Sequence, residues 1–88
     1  MLVEANTFRL AAGADEAAFL AADKRVQEAV SSLEGFVRRT TARGADGEWL
    51  VLSFWWGSSY ADAAPVDDGF AALIDPSSVD RRRYETLD

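Results

Sequence analysis

Residues 48–56 run E-W-L-V-L-S-F-W-W, the most apolar stretch of the chain. Val, Phe and Trp favour extended backbone, and the length suits one strand. In a strand, alternate side chains point to opposite faces. Trp49, Val51, Ser53 and Trp55 share one face; Leu50, Leu52, Phe54 and Trp56 share the other. A sheet covered by helices on one side only should be polar on its wet side. Here both faces carry large apolar groups, making a patch larger than a small monomer normally exposes. The pattern predicts helices over one face and a second sheet over the other. A symmetric homodimer, in which one surface meets its own copy, supplies that second sheet. The plainer alternative is a central strand that is simply apolar on both sides.

Working outward, G-A-D-G at 44–47 is a hairpin turn whose Asp46-Gly47 step accepts positive φ. It joins residues 48–56 to F-V-R-R-T-T-A-R at 36–43, a second strand. Before that, Phe19, Ala22, Val26, Ala29, Val30 and Leu33 recur at three- and four-residue steps, which predicts a helix over 15–33. Asp15 or Ala14 opens it, and Gly35 is its expected C-cap. Residues 2–10, with Val3, Thr7 and Phe8, read as the first strand. After residue 56, Ser58 and Ser59 are capping candidates for a second helix, with Asp62 as a capping-box partner. Pro65 breaks that helix, giving a turn at 59–64 and a second piece at 66–74 that Asp75-Pro76 stops. Residues 80–87, D-R-R-R-Y-E-T-L, read as a polar edge strand. The order is β-α-β-β-α-β. It predicts an α+β, ferredoxin-like domain over 1–88, with a four-stranded antiparallel sheet and both helices on one face.

With 88 residues, the chain is one small domain. Its formal net charge of −6 argues against nucleic acid, whose binding needs positive charge to displace counterions, and against anionic membranes. It has no Cys, which excludes disulfides and thiolate chemistry, and no His, which removes the usual neutral-pH base and the commonest metal ligand. Met1 to Leu10 lacks a basic n-region and its apolar residues are interrupted by Glu4, Asn6 and Arg9, so it does not read as a signal peptide. No apolar run approaches the roughly 20 residues of a membrane span. The expectation is a soluble cytoplasmic protein.

Asn6 on the first strand, S-L-E-G-F at 32–36, a hairpin, and L-V-L-S-F-W-W-G-S-S-Y-A-D-A at 50–63 together resemble the antibiotic biosynthesis monooxygenase-like superfamily of dimeric α+β barrels. The likeness runs the length of the chain in order and spacing. It implies a ligand cavity between the sheet and the helices of each subunit. In the haem-degrading branch of that superfamily, a first-strand Asn and a Trp ending the third strand line the cavity; Asn6 and Trp55 match them. That branch also ligates iron through a second-helix His. This chain has none, and Tyr60 is the one remaining candidate for an axial ligand near the cavity. The resemblance therefore points to the branch that oxidises phenols to quinones with neither metal nor flavin, and no cofactor is expected. The implied activity is a cofactor-independent monooxygenase acting on small aromatic or polyketide-type substrates. A non-redox cyclase or isomerase on the same scaffold, and a non-catalytic small-ligand-binding dimer, are the alternatives.

Candidate site residues are Asn6, Trp55 and Tyr60. Asn6 has an amide N–H₂ for a developing oxyanion; the other reading has it satisfy a backbone group at a strand irregularity. Trp55 has a ring to stack on an aromatic substrate and an indole N–H to donate; it also suits the core or a dimer interface, and a bulge would exchange its place with Trp56. Tyr60 is a proton donor or relay, or simply packs at the helix start. Glu4 shares the strand face of Asn6 and is a base candidate if buried. Arg81-Arg82-Arg83 reads as a solvated edge paired with acidic neighbours, or as an anchor for an anionic substrate group. Asp67-Asp68 lacks the further ligands that a metal site needs.

Overall fold

In the computed structural model, which describes residues 1–87, the chain forms β1 (Leu2–Arg9), α1 (Glu16–Val30), β2 (Phe36–Arg43), β3 (Glu48–Trp55), α2 (Ser58–Asp62), α3 (Asp68–Ala71) and β4 (Asp80–Glu85). The four strands make one antiparallel sheet in the order β2-β3-β1-β4. The helices pack on one face of it, the α+β ferredoxin-like arrangement that the element order predicts. Among the described residues no helix is long and apolar enough to cross a membrane.

The central strands β1 and β3 pair from Leu2↔Trp55 to Arg9↔Glu48, and direct partners share a face. The helix side of the sheet therefore carries four rows. Phe36, Trp55, Leu2 and Glu85 form one; Arg39, Ser53, Glu4 and Arg83 the next; Thr41, Val51, Asn6 and Arg81 the third; Arg43, Trp49 and Phe8 the last. Two rows that are polar apart from Val51 are thus held between two aromatic ones. A bulge in β2 sets this pattern. Phe36 pairs with Trp55 and Arg38 with Phe54, so Val37 is the extra residue. Without it, Phe36 and Arg38 would share a face, and Arg39 would point away from the helices.

The Trp49–Phe8 end is sealed. Phe19 of α1 is fully buried and meets Trp49 at 4.8 Å, Phe70 at 5.4 Å and Phe8 at 5.8 Å between ring centroids. Leu10, Leu73 and Ile74 close around this cluster. Backbone bonds Ala11 N–H to Leu73 O and Asp75 N–H to Arg9 O, both 2.9 Å, fasten the segment after α3 to the end of β1.

Several local details differ from the sequence reading. α1 starts at Glu16 with Asp15 as its N-cap, accepting from Ala17 N–H, but it ends at Val30 with Ser31 rather than Gly35 at the C-cap. Of the predicted apolar stripe, Ala29 is exposed because the helix turns it away from the sheet near its end. Gly35 instead takes φ +78° in the turn that leads into β2. The N-cap of α2 is Gly57, with no side-chain cap, so neither Ser58 nor Ser59 holds that role. The hairpin follows expectation, with Asp46 at φ 56° and Gly47 at φ 79°.

Among the described residues, no helix covers the opposite sheet face. Val3, Ala5 and Thr7 of β1 lie beside Leu50, Leu52 and Phe54 of β3 there, each partly exposed, with the half-exposed Tyr84 next to Val3.

Candidate active site

Between the sheet and the helices lies a cavity of about 340 Å³. That volume falls within the range of small-molecule sites. Its floor is the middle of the sheet: Glu4, Asn6, Val51, Ser53 and Trp55. Val26 and Val30 of α1 form one wall. The cover is the broken second helical segment, from Ala64 through Asp67 to Phe70 and Ala71. The sequence explains why this space stays open. Pro65 separates α2 from α3, so neither is longer than five residues, and the side chains at 64 and 71 are single methyl groups. One uninterrupted helix with Leu or Phe on its inner side would have filled the volume.

Trp55 is the last residue of β3 and only 4% exposed; its ring meets Phe36 edge-on at 5.4 Å and lines the cavity. Trp56 follows the strand, is 65% exposed and lies outside this cavity. Asn6 sits mid-strand on β1 against the same cavity. Its Oδ1 is enclosed and accepts no hydrogen bond from the described residues. Buried carboxamides are normally paired, because leaving one unpaired costs free energy.

Tyr60 is not among the cavity residues. Its ring lies over Gly35, so close that a Cβ at position 35 would stand 2.1 Å from Tyr60 Cγ. The missing side chain of Gly35 makes the berth for this ring. The structure thus brings Asn6 and Trp55 to one cavity and leaves Tyr60 behind the end of β3.

The charged residues of the cavity are mostly neutralised in place. Glu4 accepts from Arg83 Nε at 2.9 Å, and Arg83 also reaches Asp62 at 2.7 Å. Arg39, its side chain 5% exposed, pairs with Asp23 at 2.8 Å and lies 5.7 Å from the centre of the Phe70 ring. Asp67 receives a two-pronged bond from Arg25, at 2.8 and 3.0 Å, and caps α3 by accepting from Phe70 N–H at 2.9 Å. These donors, Arg25 first and then the Phe70 amide, lower the Asp67 pKa to about 2. The pair ties the cavity cover to α1. Among the described residues, no group of three or more His, Cys, Asp or Glu side chains stands ready for a metal ion.

Arg39 and Ser53 are cavity residues that sequence reasoning did not single out. Arg39 sits in a strand rich in Thr and Arg, and its inward direction depends on the Val37 bulge. Ser53 has a visible signal, the one small polar residue on the inward face of β3.

No family profile matches this sequence, and no curated protein matches it by sequence. Solved structures do match. SnoaB, a cofactor-independent oxygenase from Streptomyces nogalater, superposes with a TM-score of 0.81 at 17% identity, covering 99% of this chain and 93% of its own. A protein from Nitrosomonas europaea assigned to the antibiotic biosynthesis monooxygenases gives 0.80 at 15% identity, with complete coverage of both chains. Rv0793 from Mycobacterium tuberculosis gives 0.77 at 15% identity, covering 99% of this chain and 95% of its own. At these identities the likeness establishes the fold alone, a four-stranded antiparallel sheet with helices on one face.

Proposed function

We propose that this chain is a cofactor-independent oxygenase of small aromatic substrates of the phenol or anthrone type, working as a homodimer with one cavity per subunit. The observation that carries this reading is that Asn6 and the Trp55 ring line one mostly apolar cavity. SnoaB is described as a cofactor-independent oxygenase, and its fold covers 99% of this chain.

The chemistry suits the residues present. An activated CH₂ between aromatic rings loses a proton; the carbanion passes an electron to O₂; the two radicals join as a hydroperoxide; loss of water leaves a carbonyl. Overall, R₂CH₂ + O₂ gives R₂C=O + H₂O. The substrate supplies the electrons, so the protein must bind, orient and exclude water. Trp55 stacks on the ring system, and the Asn6 amide N–H₂ donates to the substrate oxygen that gains negative charge. The homodimer rests on the uncovered apolar face around Leu50, Leu52 and Phe54. Sedimentation at micromolar concentration should give twice the chain mass, and Leu52→Asp should give monomers or insoluble protein. A monomeric, well-folded parent chain would contradict this part.

Oxygen uptake with a model anthrone tests the activity. The parent protein should consume one O₂ per anthrone above the spontaneous rate. Asn6→Ala and Trp55→Phe should stay folded and lose about tenfold or more, the scale of one hydrogen bond to a developing charge. Saturable binding of the anthrone without oxygen uptake would overturn the oxygenase reading and leave a ligand-binding dimer or a non-redox enzyme.

A further inference from the structure

The proposed reaction starts with loss of a proton from carbon, and neither the Asn6 amide nor the Trp55 indole is a base that can take it. The acids that line the cavity are Glu4 and Asp67. Asp67 is fully engaged. Arg25 binds both of its oxygens, at 2.8 and 3.0 Å, and Phe70 N–H adds a bond to Oδ1 at 2.9 Å. Glu4 is held differently. Arg83 reaches it through Nε and a terminal nitrogen, each at 2.9 Å, and both contacts fall on Oε2. No described residue donates to Oε1. Arg83 is also shared with Asp62, at 2.7 Å. One guanidinium between two carboxylates leaves that trio net negative, whereas Arg39–Asp23 and Arg25–Asp67 are matched pairs. Arg81, the remaining charged residue of the cavity, forms no ion pair with any described residue. The Glu4 side chain is only 16% exposed. Burial and an excess of negative charge both favour taking up a proton.

The position of Glu4 is equally specific. Leu2 opposite Trp55, Glu4 opposite Ser53 and Asn6 opposite Val51 follow one another on the helix side of the sheet, about 7 Å apart at the rise of an extended strand. A ring system stacked on Trp55 with its oxygen at Asn6 therefore passes over Glu4. In an anthrone the CH₂ lies across the central ring from the carbonyl, so a carbonyl oxygen at Asn6 turns the CH₂ toward the Glu4 row.

We infer that Glu4 is the general base of this cavity: its Oε1 takes the proton from the substrate CH₂ while its Oε2 stays on Arg83. The inference rests on the proposed oxygenase reading and adds the residue that starts the reaction. The C–H bond breaks, its electron pair stays on carbon, and an O–H bond forms on Glu4. The carbanion is oxidised by O₂, the two radicals join, and the peroxide anion takes the proton back from Glu4. Glu4 then removes the remaining C–H proton as the C=O bond forms and the O–O bond breaks. The departing hydroxide takes that proton and leaves as water, so Glu4 ends as the carboxylate it began.

The test separates proton removal from oxygen chemistry. Anthrone deuterated at its CH₂ is followed by proton NMR in the absence of O₂, and the parent protein should speed its exchange with solvent above the buffer rate. Glu4→Gln keeps the shape and an oxygen for Arg83. It should bind anthrone with unchanged Kd and lose both anaerobic exchange and aerobic O₂ uptake by about 100-fold or more, the scale of general base catalysis. Glu4→Asp keeps the charge for Arg83 but draws the base back by one methylene, and should slow exchange at unchanged Kd. Formate should restore exchange to Glu4→Ala in proportion to its concentration, a response that loss of a structural contact does not give. If Glu4→Gln exchanges and consumes O₂ at the parent rate, the oxygenase reading stands and Glu4 is not the base. Parent exchange that Glu4→Gln abolishes, with O₂ uptake in neither, supports the base and overturns the oxygenase reading. If the parent speeds neither process, both fall.

Discussion

Replacing Asn6 by Leu should make this protein more stable while disabling its cavity. Leu branches at the same carbon as Asn, so its two methyl groups take the places of Oδ1 and Nδ2. In the parent, Oδ1 is enclosed and accepts no hydrogen bond from the described residues. An unsatisfied buried polar group costs about 1–3 kcal/mol, and the apolar replacement removes that cost. It opens no void, because position 6 already borders the cavity. A gain of about 1 kcal/mol corresponds to a midpoint rise of about 4–8 °C for a domain of this size. In urea, with a slope near 1 kcal/mol/M, it is roughly a 1 M rise in midpoint at unchanged slope. Protein concentration must be held constant, since association shifts apparent stability. The same variant should bind anthrone-type ligands about tenfold or more weakly. A lower urea midpoint for Asn6→Leu would refute the reasoning, since it would mean the carboxamide holds the fold together and is not held in readiness for a ligand.

Three further outcomes follow from the packing. Phe19→Ala removes the fully buried ring at the centre of the Phe8–Trp49–Phe70 cluster and should cost about 3–5 kcal/mol by urea unfolding, a large fraction of a small domain's stability. Gly35→Ala meets both a positive φ and the Tyr60 ring; circular dichroism melting should show strong destabilisation, and the double variant Gly35→Ala/Tyr60→Ala should relieve the clash and leave only the backbone strain of about 1–2 kcal/mol. Asp67 has its pKa lowered from 3.8 to about 2, so the stabilisation from its pairing is complete above about pH 4 and is lost as pH falls toward 2. Asp67→Asn should remove that part of the acid sensitivity between pH 4 and 2, seen by comparing urea midpoints of parent and variant.

The fold was legible because its signals are local. The period-2 run at 48–55, the helical stripe beginning at Phe19 and the Asp46-Gly47 turn each declare an element within a few residues of sequence. Asn6 and Trp55 were reachable as candidates from the resemblance, and strand parity puts them on the side that β1–β3 pairing turns toward the helices. What escaped depends on contacts distant in sequence. Arg39 faces the cavity because one extra residue at Val37 shifts the phase of β2, which shows only in the pairing with β3. Tyr60 lies apart from the cavity because Gly35, 25 positions earlier, leaves room for its ring, and nothing in S-S-Y signals this. The Arg81-Arg82-Arg83 run was visible, but which of its members lacks an acid depends on register with Glu4 and on the position of Asp62. The end of α1 shifted for a different reason. Apolar spacing continues through Leu33, but Ser31 and Ser32 bond their hydroxyls back to Glu28 O and Ala29 O at the point where the helix stops.

The most direct test of the cavity as the place of ligand binding is a two-dimensional ¹H–¹⁵N NMR titration of the parent protein with an anthrone-type ligand. The three tryptophans, Trp49, Trp55 and Trp56, give separate indole N–H signals that single Trp→Phe variants assign. The account predicts saturable shifts of the Trp55 indole and the Asn6 side-chain amide, with Trp56, which lies outside the cavity, unmoved. Shifts confined to Trp56 or to the uncovered sheet face around Leu50, Leu52 and Phe54, with Trp55 and Asn6 unaffected, would contradict it.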